Sequence, residues 1–236
     1  MDNPLHIGAL TVGTVPRVAA IVDRVLAPER LRELGQRGAQ LLEVRVDCLD
    51  LCADELCRYI EEVRSLSGLA VIGTIRETSS NRENRLALFE RITPLVDAVD
   101  IEIDAPFRDR VIAGAQEKSI IVSEHDYEAT PPTPRIQELV DEAMDAGASM
   151  VKLAFFCATM NDSVRLLQFC RHCPHPLVVI GMGECGTITR LVAPLFGSLF
   201  TFAFLHESVA PGQIGLEQMV ADMTRYFPQF VQRVSG

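Results

Sequence analysis

The sequence predicts a (β/α)8 TIM barrel, and three observations predict it. Eight short apolar runs rich in Val and Ile recur along the 236 residues, as strands covered on both faces should. A helix-like segment follows each run, which is the order of a parallel α/β fold. The polar residues that interrupt the runs gather toward their C-terminal ends, where barrels keep their chemistry. An open doubly wound sheet is the alternative, but no G-x-G-x-x-G follows the first run.

The elements come in order. HIGALTVG, before the first run, reads as a short β-hairpin closing the bottom of the barrel. RVAAIV (17–22) is followed by PERLRELGQRGA, and LLEVRVD (41–47) by ADELCRYIEEVRSL, where Leu56, Ile60 and Val63 share a helical face. AVIGTIR (70–76) leads to RENRLALFERITPLV, AVDIEID (98–104) to RDRVIAGAQE, and SIIVSEHD (119–126) to PRIQELVDEAMDAGA. MVKLAFF (150–156) precedes NDSVRLLQFCRHC, LVVIGMG (177–183) precedes the short TITRLVAPLF, and LFTFAFL (199–205) precedes GLEQMVADMTRYFPQFVQRV. Helices open after Pro, Asp or Asn and often close at Gly. With no linker or repeat between them, residues 1–236 read as one barrel domain.

Composition excludes several classes. The formal charge is -10 with both signs interspersed, so no basic face offers itself to nucleic acid. No apolar run approaches the length of a membrane span, and the N-terminus lacks the pattern of a signal peptide. Seven cysteines without framework spacing read as reduced thiols of a cytoplasmic protein. CRHCPH (170–175) is too crowded to supply a tetrahedral metal site by itself and reads as a loop. GMGECG lacks the G-K-[ST] ending of a phosphate loop; Met182 is expected to line the pocket, and the glycines to let the backbone approach the substrate.

The strand ends carry the chemistry. Glu43, Arg45 and Asp47 alternate and so share a face. Arg76 ends the third run, Glu102 and Asp104 lie on the fourth, Ser123 to Asp126 end the fifth, and Lys152 sits inside the sixth. Of 22 Lys and Arg residues only Lys118 and Lys152 are lysines. Lys152 is either a buried ion-pair partner of Glu102 or Glu43, or a nucleophile. For the second role an amine must lose its proton, which burial and neighbouring cations such as Arg45 or Arg76 promote and which arginine cannot do. His125, on the neighbouring strand end, is the natural acid–base partner. Arg45, Arg76 and Arg190 suit a carboxylate held by two points. Together they suggest proton abstraction next to a carbonyl held as an iminium, in a small carboxylated substrate.

At these residues the sequence resembles the type I 3-dehydroquinate dehydratases, Schiff-base enzymes of the shikimate pathway. The matching segments are LLEVRVD, GTIR, SEHDYEATP, VKLA, GMGECGTITRLVAPLFGSLFTFAF and APGQI, in family order from about residue 7 to the C-terminus. The resemblance implies that Lys152 forms the imine with 3-dehydroquinate and that His125 is the general acid/base. It implies that Glu43, Arg45, Arg76, Arg190 and Gln213 bind substrate, Gln213 from a loop (HESVAPGQIG) that closes over the site. It further implies no metal, no organic cofactor and a homodimer. Another Schiff-base barrel lyase or aldolase, or a member that binds ligand without turnover, are the alternatives. Three positions depart from the family pattern. Ser80 stands where a glutamate usually pairs with the histidine, which leaves Glu77, Glu83 or Glu102 to orient His125. Val209 replaces the serine before A-P-G-Q, with Ser208 one residue earlier. No hydroxyl ends the first run.

Overall fold

The computed structural model describes residues 4–206 and 212–231. Two short antiparallel strands, β1 (Leu5–Ile7) and β2 (Leu10–Val12), form the expected hairpin. Eight parallel strands follow: β3 (Val18–Val22), β4 (Leu41–Arg45), β5 (Ala70–Thr74), β6 (Ala98–Glu102), β7 (Ser119–Asp126), β8 (Met150–Phe156), β9 (Leu177–Met182) and β10 (Thr201–Phe204). They run side by side in chain order, with β10 beside β3. The circle meets between β9 and β10, where the Leu199 N–H donates to the Leu177 carbonyl at 2.9 Å. The result is the (β/α)8 barrel that the alternation of runs and helices predicts.

The helices are α1 (Pro28–Glu33), α2 (Ala53–Ser67), α3 (Arg85–Ile92), α4 (Arg108–Gly114), α5 (Thr133–Asp145), α6 (Met160–His172), α7 (Thr187–Val192), α8 (Leu216–Tyr226) and α9 (Pro228–Val231). Two differ from the sequence reading. The third starts only at Arg85, because Thr78 and Asn81 bind each other and Asn81 Nδ2 donates to the Arg76 carbonyl, which holds the chain in turns. The last breaks at Phe227, before Pro228, whose ring disfavours a helical residue ahead of it.

The inward-facing residues divide each strand into an apolar lower part and a polar upper part. Leu41 precedes Glu43 and Arg45; Ile72 precedes Thr74; Ala98 precedes Asp100 and Glu102; Ile121 precedes Ser123 and His125; Met150 precedes Lys152. The lower residues pack with Ile7 and Val12 of the hairpin and with Phe200 in one buried cluster. The hairpin therefore plugs the bottom, as expected. The outer faces of the strands pack against the helices in a second and larger cluster. The segment 170–175 lies at this lower end, beside the hairpin.

Candidate active site

A cavity of about 250 Å³ opens above the apolar plug, at the C-terminal ends of the strands. It is lined by Glu43, Arg45, Arg76, His125, Lys152, Arg190 and Gln213, the seven residues to which the family resemblance assigns a role. Met182 lines it too, and Ile21 occupies the end of β3 where no hydroxyl was found. A second cavity of about 590 Å³ adjoins it, sharing Arg45, Arg76, His125 and Tyr127.

Lys152 is 4 % exposed. Its Nζ donates to Glu43 Oε1 at 3.1 Å and to Asp100 Oδ2 at 2.9 Å, and lies 4.3 Å from the centre of the Phe202 ring. Of the two surroundings the sequence offers for this amine, an acidic partner or neighbouring cations, the structure supplies the acids: two carboxylates bond to it. The physical reason is that a buried ammonium must be compensated, and Arg76 is itself committed to acids. Glu43 is the partner foreseen, but Glu102 is not: it pairs with Arg76 at 3.3 Å and with Arg85.

Asp100 is the residue the sequence reading missed. It is fully buried and bonds to Lys152, to Arg76 at 3.0 Å and to the Ser123 hydroxyl at 2.6 Å. Burial works against its charge, but Arg76 and Lys152 outweigh that and hold the carboxyl well below the usual range. A signal was present: Asp100, Glu102 and Asp104 alternate just as Glu43, Arg45 and Asp47 do. Thr74, also fully buried, donates to Glu43 at 2.9 Å.

His125 shares an inward face with Lys152, because Ser123 pairs with Lys152 and His125 with Ala154 in the β7–β8 register. The small Ala154 leaves space beside the imidazole. Nε2 lies 3.4 Å from the Arg76 guanidinium. Arginine only donates, so this contact assigns Nε2 as the acceptor and Nδ1 as the protonated nitrogen. Nδ1 is buried and finds no partner among the described residues. Tyr127 stacks on the ring with centroids 6.1 Å apart. Burial, with the charges of Arg76 and Lys152, pushes the imidazole well below its ordinary value, so it is neutral near pH 7 and keeps its lone pair. None of the three glutamates proposed to orient it makes a contact with it: Glu77 pairs with Arg82, Glu102 with the two arginines, and Glu83 shows no bond to the ring. Ser80 instead bonds to Thr78 Oγ1 at 2.9 Å.

The arginines differ in their commitments. Arg45 is held by Asp47 through two bonds of 3.1 and 2.7 Å, and Asp47 also accepts from the Arg76 backbone. Arg190 is 5 % exposed and has no ion pair among the described residues; its Nε has no partner. Burial lowers its pKa to about 10. Glu43, Asp47, Asp100 and Glu102 are matched by Arg45, Arg76, Arg85 and Lys152. Arg190 is thus a cation in surplus, which an anionic ligand would complete. Its position follows from the glycine-rich turn. Gly181 and Gly186 pack on one another so closely that a Cβ on Gly186 would lie 2.3 Å from Gly181. Thr189 Oγ1 closes the turn, accepting from Gly181 N–H and donating to the Gly186 carbonyl, each at 2.7 Å. Gly181 and Gly186 thus serve the turn that carries Arg190.

Gln213 follows Gly212, which has φ 83° and sits where a Cβ would meet the Gly183 carbonyl at 2.4 Å. Ser208 and Val209, and with them most of the expected closing loop, lie outside the described residues.

Fold and site define a (β/α)8-barrel enzyme whose cavity couples a buried amine and a neutral imidazole to an anion-seeking arginine. Residues 21–224 match the family model described as type I 3-dehydroquinase. A 3-dehydroquinate dehydratase of Methanococcoides burtonii is 36% identical over 91% of this chain and 96% of its own length. One from Aquifex aeolicus is 34% identical over 89% of this chain and 98% of its own. The crystal structure of the Aquifex aeolicus VF5 enzyme superposes with a TM-score of 0.80 at 33% identity, covering 89% of this chain and 99% of that one. The chain belongs to the type I 3-dehydroquinase family, and it is an enzyme with that family's dehydratase activity. The alternative of a member without turnover is thereby set aside.

Proposed function

We propose that this barrel dehydrates 3-dehydroquinate to 3-dehydroshikimate through an imine on Lys152, with His125 moving the protons. The surplus charge of Arg190, in a cavity whose other cations are matched, carries the reading of a carboxylated substrate. Arg190 takes the carboxylate, while Arg45, Arg76, Glu43 and Gln213 receive the remaining polar groups.

Lys152 first gives up a proton. Glu43, 3.1 Å away, is the acceptor, since Asp100 also carries an ion pair with Arg76 whereas the other partner of Glu43 is the neutral Thr74 hydroxyl. The free amine adds to the C3 carbonyl, and Glu43 returns its proton to the hydroxyl of the resulting carbinolamine, which leaves as water and gives an iminium where the ammonium had been. Glu43 and Asp100 therefore meet a positive charge at both stages, which stabilises the intermediate without rearrangement. The iminium withdraws electrons from C2. Neutral His125 removes a proton there through Nε2, and the resulting enamine expels the C1 hydroxyl, which His125 protonates. Water then hydrolyses the imine and returns the lysine. A phosphate-binding aldolase gains no support, because the glycine turn after β9 is filled by its own backbone.

Borohydride reduction in the presence of 3-dehydroquinate, followed by peptide mapping, tests the reading. The expected product is a covalent adduct on Lys152. Folded protein that turns over substrate but yields no adduct there would refute the imine. The same reading places the enzyme in the cytoplasm as a homodimer. The dimer rests on family resemblance, and sedimentation at equilibrium checks it; a monomer would refute it.

A further inference from the structure

We propose that Arg85 is a positioning residue for the dehydration: it clamps Arg76 through the Ile75 carbonyl and the Glu102 carboxylate, and so fixes the guanidinium that faces His125. The inference rests on His125 being the base.

Arg85 opens α3 and is 2 % exposed. Its Nε donates to the Ile75 carbonyl at 2.7 Å, directly ahead of Arg76 in the chain. Its terminal nitrogen bonds to Glu102, and its face lies 5.7 Å from the Phe89 ring centre and 5.4 Å from that of Phe107. The other oxygen of Glu102 is 3.3 Å from Arg76. Arg76 then reaches Ser123, Asp100 and His125 at 2.9, 3.0 and 3.4 Å. The charges alternate along a continuous row, buried or half-buried: Arg85, Glu102, Arg76, Asp100, Lys152, Glu43. Arg85 borders the outer cavity and is absent from the wall of the inner one. It acts through others, not on substrate.

The row explains why a barrel would bury a guanidinium there. Arg76 is pulled by Asp100 on one side and Glu102 on the other. Arg85 neutralises part of Glu102 and leaves Arg76 free to lean toward Asp100 and His125. Without Arg85 the carboxylate of Glu102 would draw Arg76 to itself, because a buried acid takes the nearest cation. The groups facing His125 are Arg76, Lys152, Arg45 and Asp100, with Tyr127 against the ring. No acid from the loop 77–84 is bonded to it. Withdrawing Arg76 therefore lets the imidazole return toward its ordinary basicity.

Arg85→Lys keeps the charge but cannot span both the Ile75 carbonyl and Glu102; Arg85→Met removes both bonds. For each we would measure kcat, KM, the pH profile of kcat/KM and the melting temperature, with His125→Ala in parallel. The expected result for Arg85→Lys is about a tenfold loss of kcat, in keeping with the cost of small misplacements. Its acid limb should move to higher pH, so that the loss near pH 6 exceeds that near pH 8. Arg85→Met should do the same more strongly; if it fails to fold, the lysine variant decides. A lower melting temperature with kcat and pH profile retained would make Arg85 a mere anchor of α3 and overturn the inference. A near wild-type rate in His125→Ala would overturn the base assignment itself. A slow His125→Ala beside an unshifted Arg85→Lys would overturn only the clamp.

Discussion

The lower and upper halves of the barrel are built from the same strands and solve opposite problems. Below, Leu41, Ile72, Ala98, Ile121 and Met150 meet the hairpin in a dry cluster, where only volume and shape matter. Two residues further along, Glu43, Thr74, Asp100, Ser123 and Lys152 are as deeply buried, yet each needs a particular partner. The lower half can be repacked with small losses; the upper half is a set of mutual obligations, and one of them, Arg190, is left open. The open one marks where the ligand belongs, because burying a lone guanidinium stabilises nothing in the free enzyme.

Substitutions can break this contrast. The largest effect is expected for Lys152→Ala, which should abolish adduct formation and nearly all turnover; a rate within tenfold of wild type would remove the amine from the mechanism. Asp100→Asn should come next, costing about 3–5 kcal/mol of stability, because Arg76 and Lys152 lose a shared anion. It should also change the acid response. A carboxyl held below its ordinary value stabilises the fold above about pH 4, and that stability is lost as pH falls toward the folded-state value. Asp100→Asn should lack this component in denaturant titrations across that window.

In the lower half, Met150→Ala should cost about 2–4 kcal/mol by leaving a cavity, while kcat and KM of the folded enzyme stay near wild type. A large change in kcat would show that the plug and the site are coupled. The smallest effect is expected for Arg190→Met in the free enzyme: melting should be unchanged or slightly higher, since a buried cation with no ion pair among the described residues is removed. Its KM should nevertheless rise by roughly ten- to a hundredfold, the worth of a charged hydrogen bond. A marked loss of stability would mean that Arg190 is structural.

Much of this was legible beforehand. The alternating runs point to the barrel and HIGALTVG to the plug; Glu43, Arg45, Arg76, His125 and Lys152 stand out in the runs and Arg190 just after one, while Gln213 comes only from the family resemblance. Asp100 shares its spacing with Glu102 and Asp104, but it lies mid-strand within an apolar run, where the sequence does not distinguish it from the core. Arg85 and Thr74 carry no comparable signal: one reads as a helix residue, the other as part of an apolar strand. The partner of His125 was sought among nearby glutamates, and the structure gives the ring an arginine and a tyrosine instead.

The sequence by itself determined which residues face inward and how high each stands, because a period of two along a strand and a helix between strands leave little choice. Only the tertiary structure decided who pairs with whom. Glu43, Asp100 and Lys152 come from β4, β6 and β8, so their contacts cross the barrel between strands that are not neighbours in the sheet. Strand periodicity fixes a side chain's direction, but a salt bridge depends on distances across the interior, and those exist only once the circle has closed.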